Sequence, residues 1–115
     1  MSQADPTSFS HYGVCVSDLE RSRRFYCEAL GFKPGAPMHP GQECSNLVGI
    51  DGPLAMHCQF LVKGGLLMEL IKYDSPGYVG TAQARPSNKL GLTHMSFRVK
   101  DIEATMRKNE ELGGS

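Results

Sequence analysis

The residues FSHYGVCV, at positions 9–16, alternate between apolar and small or polar side chains. Tyr12, Val14 and Val16 share one face of this segment, and His11 belongs to the other face. A period of two is typical of a β-strand that buries one of its faces. The pattern therefore predicts a strand over residues 9–16 with the histidine on the side away from the apolar side chains.

A helix is predicted directly after this strand. Apolar side chains recur at helical spacing through residues 19–30, which indicates an amphipathic helix. The stretch SDLE offers Ser17 or Asp18 as the N-cap, with Glu20 reaching back as in a capping box. Gly31 supplies a C-terminal stop signal.

The next segments predict three more strands. Residues 32–43 are rich in Gly and Pro and can hold one short edge strand and a loop, and residues 44–51 can form a helical turn. Residues 55–62 and 66–73 are apolar enough for strands, and Gly64–Gly65 between them is a hairpin signal. The order of the elements is therefore strand, helix and three strands.

The opening pattern returns near the end of the chain. When residues 92–115 are aligned with residues 9–32, seven of the 24 positions are identical at a spacing of 83. We thus expect a single domain over 1–115, with a first βαβββ module at 9–73 and a polar connector at 74–91. The residues from 92 onward would begin a second module with a strand and a helix.

Composition and charge narrow the possible functions. The 115 residues predict one domain, and 12 basic residues balance 12 acidic ones, so nothing points to nucleic acid or to an anionic membrane. The four cysteines show no CxxC spacing, which is typical of reduced thiols in a cytosolic protein. No leader sequence is apparent, and no apolar run reaches the ~18 residues of a membrane span. We expect a cytoplasmic protein.

Three residues are candidates for a metal site. His11 and His94 occupy the same phase of the repeat, opposite the apolar face of each strand. Glu69 lies within the apolar run LLMELI, where a carboxylate is unfavourable unless a cation satisfies it. Two imidazoles and one carboxylate are an ordinary ligand set for Zn²⁺, Ni²⁺, Co²⁺, Mn²⁺ or Fe²⁺. The alternatives are hydrogen-bonded structural histidines and an outward-facing Glu69 on an edge strand.

The other polar residues carry weaker signals. Arg98 shares the face of His94 and could anchor an anionic part of a substrate or form a surface ion pair. His39 lies in a Pro/Gly loop and is expected to be solvated, whereas His57, within a strand, is expected to be structural. Cys15 shares the face of His11 but lies too far along the strand to share a metal easily.

Three stretches resemble the vicinal oxygen chelate superfamily, which includes glyoxalase I, methylmalonyl-CoA epimerase, extradiol dioxygenases and the fosfomycin and bleomycin resistance proteins. They are HYGVCVSDLERSRRFYCEALGF, LLMELIKYDSP and GLTHMSFRVKDIEA. The resemblance implies an α+β fold of paired βαβββ modules, each forming half a barrel around a divalent metal. It assigns His11, Glu69 and His94 to the metal, and the fourth ligand of the family would fall beyond Ser115.

The resemblance also implies a chemistry. A metal-dependent lyase or isomerase of the glyoxalase I or CoA-thioester epimerase type is expected, with Glu69 also moving the proton and Arg98 binding substrate. A first-module carboxylate favours these branches over an extradiol dioxygenase, which is one alternative. A non-catalytic protein that binds a small hydrophobic or antibiotic ligand is the other.

The length of the repeat suggests an assembly. The second module has only a strand and a helix within these 115 residues, so we expect a C-terminally truncated chain that is inactive alone. Unpaired strand edges favour association with another chain. A homodimer, with module swapping as one way to complete the second half, is therefore expected, with a small-molecule substrate, no nucleic acid and no membrane.

Overall fold

The computed structural model describes residues 6–114 and contains one four-stranded sheet in that range. The strands are β1 (Tyr12–Cys15), β2 (Lys33–Met38), β3 (Ala55–Lys63) and β4 (Leu66–Ser75). The helices are α1 (Leu19–Leu30), α2 (Ser45–Val48), which follows a 3-10 turn at Gln42–Cys44, and α3 (Ile102–Glu111). Residues 1–5 and Ser115, which belong to the predicted domain, lie outside the described range.

The sheet has the strand order β1-β4-β3-β2. β1 is parallel to β4, and the other two pairs are antiparallel. β3 and β4 form a hairpin across Gly64 and Gly65, and Gly64 has φ 57°, a conformation that favours glycine. The predicted α+β class and the βαβββ order of the first module are confirmed.

The predicted stop of α1 is confirmed, and its start is resolved between the two candidates. Asp18 is the N-cap, and its side chain accepts a hydrogen bond from Arg21 N at 3.0 Å. Gly31 caps the other end with φ 77°. The capping box through Glu20 is wrong, because Arg21 occupies the third helical position and Glu20 pairs with Arg23 instead.

The core lies between α1 and one face of the sheet. Its fully buried cluster consists of Phe32, Leu61, Met68 and Leu70. The apolar residues of the first strand pack against it as predicted: Tyr12, Val14 and Val16. The other face of β1 therefore points away from the helix, as the alternation indicated.

β2 is an edge strand, as its composition predicted. Pro34 and Pro37 lie within it, and the register shifts between them. Proline cannot donate to a ladder, so it is confined to edges and bulges. The strand nevertheless pairs with β3 from Lys33 to Met38.

The second copy of the repeat is only partly formed. Asp101 caps α3 by accepting a hydrogen bond from Ala104 N at 3.0 Å, as Asp18 does for α1. The strand predicted over residues 92–99 is wrong, since these residues pair with no strand in the described range. β1 is held by β4, and residues 92–114 contain no counterpart of β4.

The second segment still uses the predicted apolar face. The ring of Phe97 lies edge-on to Phe32, with centroids 6.0 Å apart, and Phe97 packs against the core. α3 lies against α1, where Arg21 donates to Gly113 O at 3.4 Å. Of the predicted apolar face, only Phe97 packs on the core, whereas Met95 and Val99 stay exposed, and the backbone forms no ladder.

Candidate metal centre and ligand groove

Glu69 lies beside Gly13 on the face of the sheet away from α1. The two residues are register partners in the β1–β4 pair. A Cβ at Gly13 would lie 3.8 Å from Glu69 Oε1 and 3.1 Å from Ile71 Cδ1. The absence of a side chain at Gly13 therefore lets Ile71 and the Glu69 carboxylate lie close to the backbone of β1.

His11 lies on the same side of the sheet. Its ring is edge-on to Phe60, with centroids 5.3 Å apart, and Phe60 is the register partner of Glu69. His11 itself is exposed. The structure thus brings the imidazole of His11 and the carboxylate of Glu69 to one face, with Phe60 as their shared neighbour.

His94 belongs to the second copy of the repeat and lies across a groove from β1. It lines an open groove of about 600 Å³, between β1 and residues 92–95, that also includes Gly13. The remaining lining is largely apolar and comes from both copies: Phe9, Tyr12, Val14, Cys15, Leu92, Thr93 and Met95. The groove is therefore formed where the two copies of the repeat meet.

Each of His11 and His94 has the hydroxyl of the preceding residue next to its Nδ1 atom. Ser10 Oγ lies 2.8 Å from Nδ1 of His11, and Thr93 Oγ1 lies 2.8 Å from Nδ1 of His94. A hydroxyl that accepts from Nδ1–H fixes the imidazole tautomer and leaves Nε2 with a free lone pair. That is the state in which histidine binds a metal.

The donor types fit a divalent metal, but their positions do not form a complete site. In residues 6–114, no group of three or more His, Cys, Asp or Glu side chains is close enough to hold one ion. His11 and Glu69 share a face, and His94 shares the groove with Gly13. The metal-ligand roles of these three residues therefore stay a prediction.

Comparison with known families identifies the chain. The profile of the Glyoxalase/Bleomycin resistance protein/Dioxygenase superfamily matches residues 8–115. The chain belongs to this superfamily. Divalent metals are common in it, which agrees with the donor types, although it does not fix a metal or a reaction for this member.

Solved structures support the same fold. A glyoxalase family protein from Bacillus cereus has a TM-score of 0.81 at 20% identity, covering 98% of this chain and 76% of that chain. A glyoxylase/bleomycin resistance protein/dioxygenase domain from Frankia sp. EAN1pec has a TM-score of 0.50 at 25% identity, covering 94% of this chain and 67% of that chain. No curated protein matches the sequence.

Two further predictions concern substrate binding by Arg98 and the absence of a membrane span. Arg98 is exposed, makes no ion pair with other described residues, and does not line the groove beside His94. Its role in substrate binding stays a prediction. None of the helices within residues 6–114 has the length and hydropathy needed to cross a membrane.

Burial affects the acid groups near Glu69. Desolvation is the main cause that raises the pKa of the Cys58 thiol to about 11, and the charges of Glu69 and Cys44 add to it. The pKa of Tyr73 is raised chiefly by burial, with smaller contributions that include Glu69. Both side chains are therefore neutral neighbours of the carboxylate near neutral pH.

The sequence interpretation missed one cluster. His39 and His57, expected to be solvated and structural, lie with their Nδ1 atoms 3.0 Å apart, and Asp74 contacts His57. The signal that could reveal this contact is the β2–β3 register, which the alternation of side chains does not define.

Proposed function

We propose that this superfamily member is a metal-dependent lyase or isomerase of the glyoxalase I or CoA-thioester epimerase type. The observation that supports it best is the position of Gly13, which lies beside the Glu69 carboxylate and lines the groove that contains His94. His11, on the same sheet face as Glu69, would be the third ligand. The Glu69 carboxylate in the first module favours these two branches.

A divalent metal held by His11, Glu69 and His94 would act as a Lewis acid toward a substrate carbonyl. The groove walls, which are largely apolar, would contact the apolar part of a small substrate. Glu69 would accept a proton from the carbon next to the carbonyl, and a proton would return to the adjoining carbon in an isomerisation or to the same carbon in an epimerisation, so no atoms are gained or lost. Arg98 would bind an anionic group on the substrate outside the groove.

The first test is metal analysis of the chain beside Glu69→Gln. We expect about one equivalent of metal that depends on Glu69, because a neutral amide is a weak ligand for such ions. Glu110→Gln is the matched control, since Glu110 is an exposed carboxylate on α3. Absence of Glu69-dependent metal after loading with nickel, cobalt, zinc, manganese or ferrous iron would overturn the proposal.

Assays of glutathione hemithioacetals and CoA thioesters would then separate the two reactions. Oxygen consumption with a catechol would instead identify a dioxygenase. Catalysis in any of these assays should be lost in His11→Gln and in Glu69→Gln and retained in Glu110→Gln.

The apolar lining of the groove favours a second candidate function, which is non-catalytic binding of a small hydrophobic ligand. A groove of about 600 Å³ is within the usual size of small-molecule sites. This alternative predicts that His11→Ala leaves ligand binding unchanged and that the chain retains no Glu69-dependent metal. The metal analysis therefore distinguishes the two functions.

A further inference from the structure

A polar cluster lies on the sheet face opposite Glu69. The Nδ1 atoms of His39 and His57 are 3.0 Å apart, and Nε2 of His57 is 2.6 Å from Asp74 Oδ2. Lys72 pairs with the other carboxylate oxygen of Asp74. The side chains of the cluster remain partly open to solvent, with His57 exposed to 39% and Asp74 to 44%.

The strand register explains why these residues meet. Met38 at the end of β2 pairs with Cys58 in β3, so His39 continues the row opposite His57. His57 in turn pairs with Lys72 in β4. His57 is thus held within β3, and His39 lies one residue beyond the last β2–β3 pair, which keeps it beside His57.

The contact with Asp74 defines the chemistry of His57. A carboxylate accepts the Nε2 proton, which leaves Nδ1 of a neutral imidazole as a lone pair directed toward His39. A histidine whose second ring nitrogen donates to a carboxylate is the usual form of a metal ligand. The position of Lys72 on Oδ1 leaves Oδ2 available for this bond.

We propose that His39 and His57 form a second, independent metal site for a Zn²⁺-, Ni²⁺- or Cu²⁺-type ion. The two Nδ1 atoms would be the protein ligands, Asp74 would orient His57, and water would occupy the other positions. Within the described residues, no group of three or more His, Cys, Asp or Glu side chains could hold a metal, so the protein would supply only these two ligands. Imidazole is a suitable donor for each of these ions.

The geometry needs little change to accept the ion. With Zn–N bonds of about 2.0–2.1 Å and a tetrahedral angle, two ligand nitrogens lie about 3.3 Å apart. The observed separation is 3.0 Å, with ring centroids 5.0 Å apart and planes inclined by 80°. A movement of a few tenths of an ångström, with the Nδ1 proton of His39 released to water or replaced by one on Nε2, would put a metal in place of the shared hydrogen bond.

The site is separate from the groove. His57 shares its sheet face with Leu61, which packs under α1, whereas Phe60 and Glu69 lie on the other face. Binding at the histidine pair should therefore leave the groove unchanged, and loss of one site should not remove the other.

The test is a titration of the whole chain with Zn²⁺, followed by ¹⁵N NMR of the histidine rings. We expect the Nδ1 signals of His39 and His57 to shift together and to reach their end point after one equivalent of Zn²⁺ has bound at this pair. His39→Gln and His57→Gln should weaken this binding at least tenfold, and the double variant His11→Gln/His94→Gln should preserve it. Failure of the wild-type Nδ1 signals to move with Zn²⁺ would overturn the proposal, whatever happens at Glu69.

A separate variant tests whether Asp74 orients His57 for metal binding. Asp74→Asn should weaken Zn²⁺ binding at the pair by about 10- to 100-fold, as is typical for loss of a carboxylate behind a ligand histidine. Lys72→Gln is the control, because Lys72 touches Asp74 but neither Nδ1 atom. Unchanged affinity in Asp74→Asn would overturn the orienting role.

Discussion

The hydroxyl of Tyr12 lies 2.9 Å from Sδ of Met95, its own counterpart 83 positions along the repeat. In a two-fold arrangement, a residue that contacts its own equivalent lies next to the axis. The two copies of the repeat therefore meet at equivalent positions, although the second copy forms no strand in the described range. His11 and His94 precede these two residues in the sequence, and of the two histidines only His94 lines the groove.

The paired helix caps give the first prediction. Asp18→Ala and Asp101→Ala should each lower the free energy of unfolding by about 1 kcal/mol, since each carboxylate caps a helix N-terminus. Ser17→Ala should have little effect, because Ser17 does not cap α1. Urea unfolding followed by circular dichroism measures all three. Equal destabilisation by Ser17→Ala and Asp18→Ala would contradict the assignment of the cap.

The attachment of the second segment to the first module gives the next prediction. Phe97 packs on the core against Phe32, which is 3% exposed. Phe97→Ala should lower the free energy of unfolding by about 2 kcal/mol, less than the ~3–5 kcal/mol of a fully buried phenylalanine. Val99→Ala, at a residue that is 40% exposed, should have a smaller effect in the same urea titration. The reverse order would show that Phe97 does not anchor this segment.

Much of the first module could be predicted because its signals are local. Alternation identified β1, helical spacing and Gly31 identified α1, and Gly64–Gly65 identified the hairpin. These signals depend on side-chain period and backbone freedom, which a sequence carries directly. The predicted capping box was wrong because Ser17 and Asp18 can each cap a helix. The use of Asp18 makes Glu20 the second helical residue, whereas a capping box needs it at the third.

The signals that failed depend on pairing between distant segments. Residues 92–99 have a strand pattern, but a ladder needs a partner, and none lies within the described residues. The contact of His39 with His57 depends on the β2–β3 register, which shifts between Pro34 and Pro37. The sequence could predict that His11 and Glu69 are candidate ligands, but it could not predict the distance between their side chains.

Gly13 should control access to the groove. A methyl group there would lie 3.1 Å from Ile71 Cδ1, a flexible tip that can move, so Gly13→Ala should change the unfolding free energy by less than about 1 kcal/mol. The branched side chain in Gly13→Val would extend further toward Glu69 and should abolish Glu69-dependent metal binding. Gly65→Val is a control at a glycine with nothing within 4 Å. Normal metal content in folded Gly13→Val would contradict the position assigned to the centre.

The raised pKa of Cys58 predicts an order of thiol reactivity. Cys58 is 2% exposed with a pKa of about 11, whereas Cys15 is exposed on the face of the groove. At pH 8, a thiol of pKa about 11 is almost entirely protonated, and only the thiolate reacts. Iodoacetamide should therefore modify Cys15 well before Cys58, as peptide mass mapping would measure, and the difference should vanish in urea.

The same experiment separates burial from charge at Cys58. Burial is the larger cause of its raised pKa and the Glu69 carboxylate the smaller one. Glu69→Gln should therefore speed the alkylation of Cys58 only slightly, leaving it far slower than that of Cys15. If Glu69→Gln made the two thiols react alike, the charge of Glu69 rather than desolvation would protect Cys58.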